Sequence, residues 1–215
     1  MTNEKDTVQT LLETIEALKK GKVGQLVQAR TTQFREMAKK PSGELFKELC
    51  FCILCANFTA ERSMKIQDTV GDGFLNLPEK ELAQKLKALG HRFPNTRAKY
   101  IVEARKYKES LKAEIASYND DQELRNWLFA EVKGLGPKEA SHFLRNIGYT
   151  DFAIVDFHIV DVLVRYGLIQ KPKTVTKRRY LEIEETLRHV AQKVNLNMAE
   201  LDLYLWYMET GKVLK

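Results

Sequence analysis

The sequence is poor in the residues that punctuate or staple a chain: five prolines, 11 glycines and three cysteines in 215 residues. Cys50, Cys52 and Cys55 all fall in one apolar run, ELCFCILCANF. Three thiols in one run make neither the paired framework of a disulfide-stapled secreted domain nor the four thiolates of a structural zinc or iron–sulfur site. They read as small buried residues of a core helix. No stretch approaches the ~18 apolar residues of a membrane span. The opening Met1-Thr-Asn-Glu-Lys-Asp lacks the apolar centre of a signal peptide. A cytoplasmic protein with no membrane association is expected. Strand-like alternation is almost missing too, as are repeats, low-complexity tracts and linkers.

What is present is helical periodicity and positive charge. Hydrophobic residues make up 44% of the chain, enough for a sizeable core in one domain or two small lobes. Thirty-five Lys and Arg against 29 Asp and Glu give a net charge of +6, which suits a polyanionic partner. Residues 7–20 place Val8, Leu11, Leu12, Ile15 and Leu18 on one face, and PSGELFKELCFCILCANF does the same with Leu45, Phe46, Leu49, Cys52, Ile53 and Ala56. A helix opens after Pro78 and stops at Gly90. Another runs from PNTRAKYI to about residue 118, with Asn95 and Thr96 as capping candidates. NDDQELRNWLFAEVKG offers Asp or Asn caps, and a helix from Pro137 to about Ile147 turns Ala140, Phe143, Leu144 and Ile147 inward before Gly148. Residues 152–167 are expected as one buried helix, followed by two more and a short tail, KVLK. The fold class is all-α.

Between two of these helices lies KGLGPK. One glycine would stop the first helix, so Gly134 and Gly136 together suggest a hairpin that needs unusual backbone angles or close approach. Such a hairpin, leading through Pro137 into a helix N-terminus, can grip a phosphate with backbone N–H groups and so hold DNA without reading its sequence. A plain turn between helices is the competing reading. Lys138 follows at once, and Asp156 appears further on inside the otherwise apolar FAIVDFHIV. A carboxylate among Ile154, Val155, Phe157 and Ile159 must cap a helix, meet a cation or do chemistry. Capping and chemistry are compatible.

The arrangement GLGPKEASHFLRNIG followed by AIVDFHI resembles the helix-hairpin-helix and Gly/Pro-Asp motif of the DNA glycosylase superfamily represented by endonuclease III. HRFPNTRAKYI, DLYLWYMETGKVLK, the compact length and the absence of a cysteine cluster are similar to its 8-oxoguanine glycosylase/lyase branch of archaea and some bacteria, the second Ogg type. The likeness covers nearly all of the chain beyond its N-terminal stretch. It implies a single unit over 1–215 with two helical lobes, roughly 30–116 and 1–29 plus 117–215, and the hairpin motif at their junction. It implies a monomer acting on double-stranded DNA that contains 8-oxoguanine, without metal or cofactor. Lys138 would be the nucleophile of a bifunctional enzyme, attacking the sugar carbon to form a Schiff base, and Asp156 would stabilise the positive charge that develops there. A lysine amine attacks at neutral pH only if its proton is easily lost, which a helix N-terminus and partial burial favour.

The base must leave the stack to be reached. Asn57, at the exit of the cysteine-bearing helix, is then the residue that fills the gap, or else a helix C-cap. Phe93 and Trp206 would sandwich the extruded purine, although an aromatic at helical spacing also suits a core. Lys215 would close the pocket with its terminal carboxylate, unless the tail is frayed. Lys133, Gly134, Gly136 and His158 are candidate phosphate contacts, His158 having a structural alternative, and the run Lys173, Lys177, Arg178, Arg179 reads mostly as solvated surface. The rival functions are the same chemistry on an oxidised pyrimidine or a mispaired base, a non-catalytic helix-hairpin-helix DNA-binding module, and an all-α protein-interaction domain.

Overall fold

The computed structural model describes residues 4–215, with side chains from residue 7; the signal-free reading of Met1-Thr-Asn lies outside the described residues. The helices are, in chain order, α1 (Glu4–Lys19), α2 (Lys22–Ala38), α3 (Ser42–Cys55), α4 (Ala60–Val70), α5 (Gly73–Asn76), α6 (Glu79–Ala88), α7 (Pro94–Ala104), a 3-10 turn (Arg105–Tyr107), α8 (Leu111–Ala116), α9 (Asp121–Glu131), α10 (Pro137–Asn146), α11 (Phe157–Arg165), α12 (Lys177–Lys193) and α13 (Met198–Thr210). Among the described residues there is no strand, so the all-α class holds. Among the described residues no helix is long and apolar enough to cross a membrane.

The chain divides into two compact units, residues 1–35 with 148–215, and residues 36–147. The expected second boundary, near residue 116, is therefore misplaced. Residues 117–147 stay with the cysteine-bearing helix because α10 packs on α3 and on α9. Asn146 Nδ2 also donates to Glu48 Oε1 at 2.6 Å, and Gln67 Nε2 donates to Glu48 Oε2 at 3.1 Å. This hydrogen-bonded carboxylate, 1% exposed, links α3, α4 and α10 where an unpaired one would be costly. Helix α3 itself is buried on every side from Glu48 to Cys55, as a helix apolar almost all round must be, and its three cysteines are buried thiols outside any disulfide.

The unit formed by the two ends of the chain packs Leu11 and Ile15 of α1, and Val23 and Val27 of α2, onto α11, α12 and α13. Helix α13 begins where Asn197 Oδ1 accepts from the Glu200 N–H and Glu200 Oε2 accepts from the Asn197 N–H, a reciprocal cap.

Two further expectations change. The helix expected from residue 94 to 118 is three pieces. Arg105 turns inward to donate to the Phe74 carbonyl at 2.8 Å, and Tyr107 packs edge-on against Trp127 while donating to Glu131, so partners distant in sequence override the local periodicity. Its first residue is Pro94, behind Phe93 at the cap, and Asn95 and Thr96 lie inside the first turn rather than capping it. The helix expected over 152–167 starts only at Phe157. Residues 152–155 are non-helical and buried, held by side chains of α12: Tyr180 Oη donates to the Ala153 carbonyl at 2.6 Å, and the Ala153 N–H donates to Glu184 Oε1 at 3.0 Å. That satisfies backbone groups that no neighbouring strand pairs. It also delivers Asp156 to the N-cap of α11.

Candidate catalytic residues and nucleic-acid interface

Helix α9 is started by Asp120, whose carboxylate accepts from the N–H groups of Gln122 and Glu123, and it ends at Val132. The turn that follows uses its two glycines differently. Gly134 has φ +91°, and a Cβ there would lie 2.5 Å from the ring of Tyr100 on α7, so both backbone and space require glycine. Gly136 has φ −96°, which any residue adopts, but its N–H donates to Glu139 Oε2 at 3.1 Å and a Cβ would sit 3.1 Å from that oxygen. The second glycine makes room for the Glu139 side chain to fold back over the start of α10. The phosphate-gripping reading of the hairpin needs its glycine N–H groups open. In this structure the Gly136 N–H is already engaged by a carboxylate.

Lys133 and Lys138, equal in composition, differ in setting. Lys133 is exposed and pairs with Glu103 at 3.0 Å. Lys138 follows Pro137 in the first turn of α10; its side chain is 28% exposed, and Nζ lies 3.2 Å from Glu139 Oε1. Both Lys138 and Glu139 act electrostatically on the Cys55 thiol, which burial pushes up to about 12.

In the other unit Asp156 is half-buried and its carboxylate accepts from the Ile159 N–H at 2.9 Å. The capping alternative is thus realised. The cap occupies only part of a carboxylate's capacity to accept hydrogen bonds, so it leaves room for a second task. Next to it Phe157 is 68% exposed and its ring centroid lies 3.9 Å from that of His158, which meets Trp206 edge-on at 4.6 Å. His158 therefore stands within an aromatic cluster and is half-buried. Trp206 is also half-buried, on the outer part of α13 rather than in the core. Past the left-handed Gly211 the tail does not fray: Val213 packs on the core of its unit and Lys215 is half-buried.

The residues expected to hold the extruded base and fill its gap on the 36–147 unit are joined by two side chains that sequence analysis did not single out. His91 is buried; its Nε2 bonds the Leu54 carbonyl at 3.1 Å and its Nδ1 accepts the Phe93 N–H at 3.0 Å. That arrangement requires the neutral ring with the proton on Nε2. Burial lowers its pKa below the ordinary histidine value, and Arg97 and Arg62 lower it further against the raising effect of the Leu54 carbonyl. Arg97 is also buried and donates to the Ala56 carbonyl, and its guanidinium lies 5.7 Å from the Phe93 ring, with Arg92 at 5.1 Å. Phe93 is 37% exposed, and Asn57, just after the tethered Ala56, is exposed with φ +57°. His91 and Arg97 thus fix Phe93 to the turn that carries Asn57. The partners Leu54 and Ala56 lie far back in the chain, so no local pattern announces the link. Glu139 did have a signal, a Glu three residues after the N-cap.

The basic run is surface. Arg178 and Arg179 pair with Glu182, and Lys171 with Asp161. Among the described residues no group of three His, Cys, Asp or Glu is placed to hold a metal ion.

A family model described as 8-oxoguanine DNA glycosylase matches residues 27–196. The 8-oxoguanine DNA glycosylase/AP lyase of Methanocaldococcus jannaschii is 50% identical over 206 residues, covering 95% of this chain and 99% of that protein. The protein of the same description from Korarchaeum cryptofilum is 49% identical, covering 97% and 99%. The crystal structure of the M. jannaschii glycosylase/lyase with a 15mer DNA containing 8-oxoguanine aligns with TM-score 0.93 over 96% of this chain and all of that one. A trapped endonuclease III–DNA covalent intermediate, 19% identical with TM-score 0.56, shares the fold.

Proposed function

The chain belongs to the 8-oxoguanine DNA glycosylase family, and we propose on that premise that Lys138 and Asp156 carry the chemistry. The enzyme removes 8-oxoguanine from double-stranded DNA and cleaves the strand at the abasic site. The observation that carries the assignment is the setting of Lys138: a partly buried amine at the start of a helix that is entered through a two-glycine hairpin.

Neutral Lys138 Nζ attacks C1′ of the damaged nucleotide as the C1′–N9 bond breaks, and the base departs with the bonding pair and takes up a proton. Asp156, ionised, stabilises the positive charge that grows on the sugar. The sugar ring opens to a Lys138 imine, which acidifies the C2′ proton. Loss of that proton expels the 3′ phosphate, and water then hydrolyses the imine. These steps use an amine and a carboxylate and call on no redox or metal chemistry.

The remaining roles follow the same reading. Phe93 and Trp206 are the aromatic stacking partners of the extruded base, each contact contributing roughly 1–3 kcal/mol. Lys215, half-buried in the tail, borders the base pocket. Asn57 fills the vacated stack. Lys133, Gly134 and His158 contact the phosphate backbone, while Gly136, its N–H held by Glu139, shapes the turn. The protein acts as a monomer in the cytoplasm, on the nucleoid when bound to DNA.

Borohydride trapping on an 8-oxoguanine duplex tests nucleophile and substrate together. The wild type is expected to give a covalent adduct and strand cleavage, and Lys138→Gln neither, with duplex binding nearly intact. Adduct formation by Lys138→Gln would move the nucleophile elsewhere, with Lys133 as the first alternative. Equal base release from a thymine-glycol duplex would remove the substrate assignment.

A further inference from the structure

We propose that Glu139 is the positioning residue for the nucleophile, one carboxylate that joins the Lys138 ammonium to the hairpin backbone and sets the proton balance of the amine. The inference rests on Lys138 being the nucleophile. The two oxygens do different work. Oε2 accepts the Gly136 N–H at 3.1 Å, closing the first turn of α10. Oε1 lies 3.2 Å from Lys138 Nζ. Because Glu139 is only 9% exposed, its charge is weakly screened where it meets the ammonium.

A helix N-terminus disfavours an ammonium, which is what a lysine nucleophile needs, whereas an adjacent carboxylate favours it. Glu139 therefore opposes the helix end. It holds the side chain in one place and keeps it charged until the substrate arrives. Other ionisable groups of this unit near α10 include Cys55 and Glu48 on α3, Arg97 and Tyr100 on α7, Arg125 on α9 and His142 one turn further along α10. Arg97 also acts electrostatically on Glu139. The Cys55 thiol, at about 12, stays neutral throughout the working range. Glu48 is committed to Asn146 and Gln67, and Arg125 donates to Ser141 and Gln122. The Glu139 carboxylate stands in direct contact with Nζ, at 3.2 Å.

The test separates the cap from the charge. Glu139→Gln keeps an oxygen for the Gly136 N–H and removes the charge beside Lys138. Glu139→Asp keeps the charge on a shorter arm, and Glu139→Ala removes both. Each variant is incubated with a duplex carrying an abasic site, where the amine condenses with the sugar aldehyde, loses water, and the imine is reduced by added cyanoborohydride. The adduct-formation rate is followed against pH. In Glu139→Gln the rising limb is expected to move about one unit towards acid, since a neutral amine becomes available at lower pH. Glu139→Asp is expected to stay with the wild type while trapping more slowly. If Glu139→Gln does not fold, the Ala and Asp pair decides the same point by shifting and not shifting respectively. A Glu139→Gln or Ala limb superimposed on the wild type overturns the proposal. Lys138→Gln is run alongside: trapping that survives in it overturns the nucleophile assignment itself, whereas its loss together with an unmoved Glu139→Gln limb overturns only the role of Glu139.

Discussion

Replacing Gly134 by Ala should damage the hairpin far more than the same change at Gly136, although both sit in one short turn. At Gly134 two costs meet. The backbone is at φ +91°, beyond the left-handed well that an L-residue tolerates, which costs about 1–3 kcal/mol. The new Cβ would lie 2.5 Å and 3.1 Å from two carbons of the Tyr100 ring, so ring or hairpin must move, at about 1–3 kcal/mol for an overpacked site. Taking roughly 3 kcal/mol in all, the melting midpoint should fall by about 6–12 °C for a chain of this length. At Gly136 the backbone is ordinary and the Cβ meets a terminal carboxylate oxygen at 3.1 Å, which can swing by a few tenths of an ångström. The lower entropy of the unfolded alanine chain offsets that by about 0.4–1 kcal/mol, so the midpoint should stay within a few degrees. Thermal unfolding followed by circular dichroism measures both. The double variant Gly134→Ala with Tyr100→Ala should recover the steric part, giving a coupling of about 1–2 kcal/mol. A Gly134→Ala midpoint as mild as that of Gly136→Ala, or zero coupling with Tyr100, would refute the argument.

Asp156→Asn keeps an oxygen for the Ile159 N–H, so its stability should remain within about 0.5 kcal/mol of the wild type while base release falls by roughly 10²–10⁴-fold; unchanged release would reduce Asp156 to a cap. Asp156→Ala should lose the same activity and about 1 kcal/mol of stability besides, read by denaturant titration. His91 gives a pH dependence of opposite sense to a paired carboxylate's neighbour. Its folded-state pKa lies below its unfolded value of about 6.5, so the native protein binds fewer protons there. Its contribution is complete above pH ~6.5 and is lost as pH falls from there towards the lowered value. A His91→Gln variant should show a flatter melting curve against pH across that window, and an equal slope would show that the ring is not buried neutral.

What could be read in advance follows the range of the interactions involved. Pro137, Gly148 and Asp120 act on their own backbone neighbours, and the ends of α9 and α10 fall where those residues put them. The apolar run around the cysteines is buried because it leaves no polar face to expose. The break at Arg105 was not readable, since its cause is the Phe74 carbonyl, reached only after the chain folds back. Nor was the non-helical stretch 152–155: the length of the apolar run and the stop at Gly167 suited a buried helix, and the departure comes from Tyr180 and Glu184, which supply hydrogen bonds from α12. The same limit applies to the candidate site. Lys138 and Asp156 are marked by unusual local surroundings, a glycine hairpin and an apolar run. His91 and Arg97, which tether Phe93 to the turn bearing Asn57, are marked only by what they touch.

The interleaving of the two units has a consequence for biosynthesis. Helices α1 and α2 leave the ribosome first, yet Leu11, Ile15, Val23 and Val27 find their partners on α11, α12 and α13, made last. At about 5–20 residues per second, residues 36–147 take roughly 6–20 s to emerge. During that interval the leading amphipathic helices expose an unpartnered apolar face, while the 36–147 segment, continuous in sequence, can complete its own core as it appears. The nascent chain is thus most vulnerable to aggregation or chaperone capture at its oldest end, and a pause after residue 147 would prolong that exposure.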